Sequence, residues 1–445
     1  MGKPRLNVRV GVSCADNQTV LNLSTVLGSG VSCVLDDRST GGCLRSTMYD
    51  LCVVGAGLWS SAAAKYAAKK PGLRVCLIGP AEPKVEELHA REIFASHYDS
   101  GRNVRRYQGT SRTRNKITER SFASLKKLQA TTDINLRGDV GYVLYGDRAT
   151  NAAVAPGAVK LDAAGLRDRF PFLEIGHHGG EAYLFPSDAG YLDPRRLVRA
   201  QLEAARGHGC EVVEDVVEAV QEECTDGQSL MRLTTERGRC IGAKKVLLCT
   251  GAFACLKNLL PRGLRLDLTI LGAFTVRLEV GAEDLRRLRT MPTMSSVSVD
   301  TAKDAYILPP IKYPDGKFYL KIGPMFRDQA ELKTLEEVRE WFLSKPDPRI
   351  VQKYKNILLS IVKGVRPISM EVNTCVCLLT PTNLPYCDMV APSVGLAVGG
   401  NGYGAMMSDE IGRMAAEMVL GTENWNLDVP REKLKAQFVR HPPKL

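Results

Sequence analysis

The sequence has no uninterrupted apolar run of about 18 residues, the length a helix needs to cross a bilayer, so insertion into a membrane as a helical protein is not expected. Nor does it have a paired-cysteine framework. Its thirteen cysteines run from Cys14 to Cys387 without the regular spacing of a small secreted domain, and a chain of 445 residues needs no disulfide staples. A reducing compartment is the expectation. The closest pair, Cys375 and Cys377, is separated by one residue rather than two, which does not suit a thioredoxin-like or zinc-knuckle site, and no metal site is expected.

Two further absences narrow the class. The net charge is +11, yet no nucleic-acid-binding motif accompanies it. Lys and Arg are dispersed, and the densest cluster holds Arg102, Arg105, Arg106, Arg112, Arg114, Lys116 and Arg120. A field that draws in small anions fits better than a nucleic-acid surface. The first 47 residues lack the apolar block and cleavage site of a secretory signal. Arg5, Arg9, Ser13 and Thr19 suit a transit peptide, Asp16, Asp36 and Asp37 do not, and residues 1–47 read as a poorly ordered extension.

What the chain does contain is ample core material, with 44% hydrophobic and 24% charged residues, and a length that implies two or three domains. From Met48 the pattern sharpens. Tyr49-Asp50-Leu51-Cys52-Val53-Val54 reads as a short apolar strand, Gly55-Ala56-Gly57-Leu58-Trp59-Ser60 as a tight turn, and an Ala-rich helix runs to about Lys70. Glycine is required where such a chain turns sharply and where backbone approaches a pyrophosphate, and the helix N-terminus supplies free N–H donors. Gly55 and Gly57 fill those positions, and Ser60 is small enough for the third, where helix packs on strand. A second strand, Arg74 to Ile78, ends in Gly79 where an acid for the ribose hydroxyls is expected; Glu82 is the nearest acid.

Later segments add candidate site residues. Ser96-His97-Tyr98-Asp99-Ser100-Gly101-Arg102-Asn103-Val104-Arg105 carries two arginines three apart, which on a helical turn share a face and form an anion clamp, or else a solvated basic face. Gly190-Tyr191-Leu192-Asp193-Pro194 precedes a helix to Gly207 and a strand from Cys210 to Val213; another strand, Lys245 to Cys249, ends in Thr250-Gly251-Ala252. Past the hairpin turn Pro314-Asp315-Gly316, Lys321 alternates with Tyr319 and Gly323. Thr374-Cys375-Val376-Cys377-Leu378-Leu379-Thr380-Pro381-Thr382 and Gly399-Gly400-Asn401-Gly402-Tyr403-Gly404-Ala405-Met406-Met407-Ser408 complete the series.

Together these motifs, from about Met48 to Leu420, resemble the amine-oxidising flavoproteins typified by monomeric sarcosine oxidase, pipecolate oxidase and N-methyltryptophan oxidase. The resemblance implies FAD as cofactor. It places Arg102 and Arg105 against the flavin and the substrate carboxylate, Ser96 and His97 in the loop before them, and Thr250 and Gly251 beside the cofactor. Lys321 is similar to a lysine that lies over the flavin and promotes its reaction with dioxygen, a role a fixed ammonium suits because superoxide-like charge develops there. Tyr306 falls near a substrate-pocket tyrosine. Cys375 has the spacing of a cysteine that forms a thioether to the flavin, with Cys377 as the second candidate; a buried strand cysteine is the plainer reading. Gly400 and Gly402 let backbone approach the isoalloxazine, and the helix that follows turns its positive end to it. Met406 stands where relatives carry a lysine for the substrate carboxylate.

The expected architecture is α/β: a Rossmann-like FAD-binding domain from residues 48–130, 190–260 and 365–425, a second α+β substrate domain on a mixed or antiparallel sheet from 131–189 and 261–364, and a C-terminal tail, 426–445. The resemblance implies oxidation of the C–N bond of a secondary or N-alkylated amine, an amino acid, with dioxygen reduced to hydrogen peroxide by a monomeric enzyme. Two alternatives stand beside it: a dehydrogenase passing electrons to a carrier protein, and a flavin-binding protein without catalysis, to which Met406 and Gly79 lend support. Pro443-Lys444-Leu445 resembles a Ser-Lys-Leu peroxisomal address, so peroxisome or cytoplasm is the expected location.

Overall fold

The structure, a computed structural model, describes residues 10–15, 18–23, 31–33, 48–149, 155–175, 181–225, 228–298, 304–325, 329–422, 425 and 428–439. The chain divides into two units, Met1–Met48 and Tyr49–Leu445. The first, expected as a poorly ordered extension, holds an antiparallel sheet of Val10–Ala15, Gln18–Leu23 and Val31–Cys33. The remainder of that extension and residues 443–445 fall outside the described residues.

In the second unit, Met48–Val54, Val75–Ile78 and Glu211–Val213 pair in parallel, joined through helices as parallel neighbours must be. Leu51, Cys52, Val53 and all of Val75–Ile78 are buried, the unbroken apolar run of a strand covered on both faces. Beyond Met48–Val54 the sheet continues through Cys240–Leu248, Gln228–Thr235 and Val217–Thr225, and Val394–Val398, paired to Tyr386–Ala391, lies parallel to Cys240–Leu248. The helices Leu58–Ala68, Pro194–Gly207 and Ser408–Leu420 pack together on this sheet. Where they meet, Lys65 and Asp409 form a buried ion pair, to which Tyr66 Oη donates at 2.6 Å and Gln201 Nε2 at 3.1 Å. Each polar group there has a partner, so the network fixes one helix arrangement beneath the Gly-rich turn.

The second sheet is larger and almost wholly antiparallel. Its order is Ala330–Leu332, Thr269–Glu279, Phe318–Pro324, Ala305–Lys312, Thr293–Ser296, Tyr142–Gly146, Glu181–Phe185 and Val159–Leu161, with one parallel pairing, Thr293–Ser296 on Tyr142–Gly146. Met370–Leu379, grouped in the sequence with the nucleotide-binding segments, pairs along its whole length with Thr269–Glu279 in this sheet. A Rossmann-like layer beside an α+β layer is thus the architecture found.

One local expectation is corrected. Arg102–Arg105 is a strand, not a helical turn, because its backbone is taken up by Ala189–Leu192 in antiparallel register. In a strand, residues three apart face opposite ways, so the two arginines form no shared-face clamp.

Candidate active site

Among the described residues, one large cavity of about 380 Å³ runs over the carboxyl ends of the parallel strands. It is lined by residues 54–59, 93–97, 249–253, 375–378, 397–400 and 402–406, with Arg102, Asn103, Arg105 and Tyr306. Of the residues given a site role from the turn or the resemblance, all but Ser60 and Lys321 are in this lining.

At one end lies the Gly-rich turn. Gly55 has φ +116°, and a Cβ there would fall 2.5 Å from the carbonyl oxygen of Cys249. Gly57 begins the Leu58–Ala68 helix with no side-chain cap, no acid follows in the first turn, and no atom of the other described residues lies within 4 Å of where its Cβ would be. Free N–H groups and the positive end of the helix therefore face an open cradle. Ser60 works from behind: fully buried, it donates to the Gly57 carbonyl at 3.0 Å. Gly55→Ala is expected to strip the protein of FAD on purification, read as the ratio of flavin to protein absorbance; retention at the parental ratio would refute the cradle.

The missing acid has a steric cause. A Cβ on Gly79 would come within 2.5 Å of the Ala56 backbone nitrogen, so no side chain fits at that strand end. Glu82 does not take its place, since Arg195 holds both its oxygens, with Nε at 2.7 and 2.9 Å.

At the other end the charged residues separate. Arg102 pairs with Asp99 and donates through Nη2 to the Ser96 carbonyl at 2.8 Å. Arg105 lays its guanidinium 4.7 Å from the Tyr142 ring centroid. Lys321 is 1% exposed and outside the cavity lining: it pairs with Asp99 and donates to the Gly101 carbonyl at 2.7 Å. Burial first, then the charges of Arg102 and Arg277, push its pKa well below the ordinary lysine value. Asp99 is fully buried and accepts a further bond from Tyr313 Oη at 2.8 Å. Sequence reasoning passed over it because its partners are distant in the chain.

The remaining walls are less polar. Burial lifts the Tyr306 phenol to about 12, so it stays protonated, and Met406 lines the cavity at 4% exposure. Cys375 and Cys377, two apart on one strand, both reach the cavity, and burial lifts the Cys377 thiol to about 12. Trp59, also missed, donates from Nε1 to the Gly404 carbonyl at 2.8 Å and ties the first Gly-rich segment to the last.

His97 is buried, and burial followed by the charges of Arg195 and Arg102 holds its pKa down at about 3. The unfolded chain takes up that proton near pH 6.5, so stability is complete above that pH and is lost as pH falls from 6.5 towards 3. At pH 5 the loss is about 2 kcal/mol. His97→Gln is expected to remove it, seen in urea midpoints at pH 7 and 5 with FAD in excess; equal slopes for both proteins would contradict a neutral buried imidazole.

The residues present fit FAD. Among the described residues, His97 Nδ1, Asn103 Oδ1 and Thr250 Oγ1 are buried without a hydrogen-bond partner in or beside the cavity, the polar atoms a flavin or ribose would engage. The cradle at Gly57 suits a pyrophosphate.

Comparison with known proteins identifies the family and the fold. The model of the family described as FAD dependent oxidoreductase matches residues 50–418. No curated protein matches the sequence. Among solved structures the fold is shared with NikD, described as an unusual amino acid oxidase essential for nikkomycin biosynthesis, at TM-score 0.70 and 18% identity over 89% of this chain and 99% of that one. L-proline dehydrogenase from P. horikoshii follows at TM-score 0.67 and 17% identity, covering 87% and 96%. The fructosamine oxidase Amadoriase II from Aspergillus fumigatus matches at 0.66 and 18%, covering 88% and 90%. With its matched span running from the Gly-rich turn through the last helix that packs on it, the chain belongs to the FAD dependent oxidoreductase family.

Proposed function

We propose that the protein oxidises the C–N bond of a secondary or N-alkylated amino acid, with dioxygen as electron acceptor and hydrogen peroxide as product. The observation that carries the reading is Arg105, a guanidinium in the lining of an otherwise mainly apolar cavity with no carboxylate of its own among the described residues. It binds the substrate carboxylate and orients the amine; Met406 and the neighbouring apolar wall exclude water. Tyr306, held as a neutral phenol, offers a hydrogen bond without charge. FAD, when bound, supplies the acceptor for the hydride equivalent leaving the carbon next to nitrogen and hands its electrons to dioxygen. The oxidised substrate, an imine, takes up water and yields a carbonyl compound and an amine. Anaerobic bleaching of the flavin by a panel of N-methyl and cyclic amino acids, followed by peroxide assay in air, tests the reading; a panel with no bleaching would refute it.

One observation favours a second reading, a dehydrogenase that passes electrons to a carrier protein. Lys321 is tied to Asp99, so its charge is answered before oxygen arrives. Reoxidation of reduced enzyme by dioxygen separates the two. Under the oxidase reading Lys321→Met slows it; slow reoxidation insensitive to that change establishes the dehydrogenase.

A further inference from the structure

Most charges in the basic cluster between Arg102 and Arg120 are answered. Arg102 pairs with Asp99, Arg106 with Glu119 at 2.6 Å and Asp188 at 3.6 Å, Lys116 with Glu119 at 3.7 Å, and Arg120 with Asp428 at 3.5 Å. Arg112 is exposed to water. Arg105 and Arg114 differ: both are half-buried, and among the described residues neither has a carboxylate within ion-pair reach.

Each instead stacks on an aromatic ring, Arg105 at 4.7 Å from the centroid of Tyr142 and Arg114 at 4.5 Å from that of Tyr403. Tyr403 lines the cavity in the same loop as Met406, so Arg114 lies one side chain behind the wall in which the expected lysine is missing. Stacking satisfies the face of a guanidinium but leaves its N–H edge free. Nε and Nη1 of Arg114 are buried with no hydrogen-bond partner among the described residues. Leaving charged donors unmet is costly, and an anion that reached them would remove the cost.

We propose that Arg114 is a second anion-recognising residue of this site and that the substrate class is a dicarboxylic secondary or N-alkylated amine. One carboxylate binds Arg105 and the other reaches Arg114 past the Tyr403 ring, which Gly402 and Gly404 flank. A substrate with a single acid would leave one half-buried guanidinium unanswered in a mainly apolar surround, whereas a dianion answers both. The assignment rests on the reading of the cavity as an amino-acid site.

The test uses unreactive acids on the FAD-loaded enzyme, with affinities taken from thermal shift. Thiodiacetate, a dianion, is expected to bind more tightly than propionate. Arg114→Gln lowers thiodiacetate affinity by roughly 10- to 100-fold, the size of one charge-assisted pair, and lowers propionate affinity less. Arg105→Gln weakens both acids, and Arg114→Lys recovers part of the loss while reporting on any folding defect in the glutamine variant. In turnover, the kcat/KM ratio of N-methylaspartate to N-methylalanine falls in Arg114→Gln. Equal affinity of the two acids for the parent enzyme, or an Arg114→Gln effect equal on both, would overturn the proposal. Because acid binding is read without turnover, failure of every amine to bleach the flavin would count against the reaction assigned to the site and not against this anion preference.

Discussion

Replacing Asp99 by alanine is expected to lower the unfolding free energy by about 3–5 kcal/mol, read as a fall in the urea midpoint at unchanged slope. Asp99 is fully buried, and its carboxylate is the counter-charge for Lys321, itself 1% exposed, and for Arg102; Tyr313 Oη and the Ser100 N–H also donate to it, each at 2.8 Å. Alanine would leave two cations around Gly101 with no anion between them. The loss is large against the 5–15 kcal/mol that holds a typical domain together. Asp99→Asn keeps an acceptor for Lys321 and Tyr313 but not the charge, so a smaller loss is expected. Lys321→Met removes one cation and leaves Asp99 paired with Arg102, again a smaller loss. The combination Asp99→Leu with Lys321→Met recovers much of the deficit, because a buried pair replaced by apolar side chains of similar volume is often neutral. An Asp99→Ala protein within 1 kcal/mol of the parent, as an order of magnitude the worth of an exposed pair, would show that the cluster is not sealed from water.

That cluster also marks the limit of reading the site from sequence. The strand, turn and helix from Met48 to Ala68 were legible because their signals are local: an apolar run, glycines at fixed spacing, then small helix formers. The Arg102–Arg105 segment was misread as helical because its strand state depends on Ala189–Leu192, more than 80 residues later in the chain. Lys321 was legible as a notable lysine, but its partner Asp99 lies 222 residues away, and no spacing rule links the two. Gly79 could be seen as a missing acid; only the packing against Ala56 explains why no side chain occurs there. Arg114 sat in a run of basic residues that looked uniform, and it stands out only once its neighbours' carboxylates are located. Met370–Leu379 likewise carries Cys375 and Cys377 to the cavity on a strand of the second sheet, an assignment set by pairing with Thr269–Glu279 and not by the strand's own composition.

Arg105→Met is expected to lower kcat/KM for amino-acid substrates on the order of 100-fold or more while the protein keeps its flavin. The guanidinium lines the cavity and has no carboxylate of its own among the described residues, so under the proposed reading its pair with a substrate carboxylate would form in a largely desolvated place, where truncating one partner leaves the other charge buried and unmet. Methionine fills the space over Tyr142 and keeps the strand edge with Ala189–Leu192 intact, which confines the change to charge. Arg105→Lys should be intermediate: the charge remains, but the planar fork and the stack on Tyr142 are lost. The sign of the effect on the two kinetic constants is informative as well. A rise in KM at constant kcat means that Arg105 binds substrate and transition state alike, whereas a fall in kcat means that it also sets the angle at which the C–H bond meets the flavin. An amine analogue without a carboxylate should suffer far less from the substitution than the amino acid does. Equal losses for the two would remove Arg105 from carboxylate recognition and would leave Arg102, already occupied by Asp99, as a poor substitute.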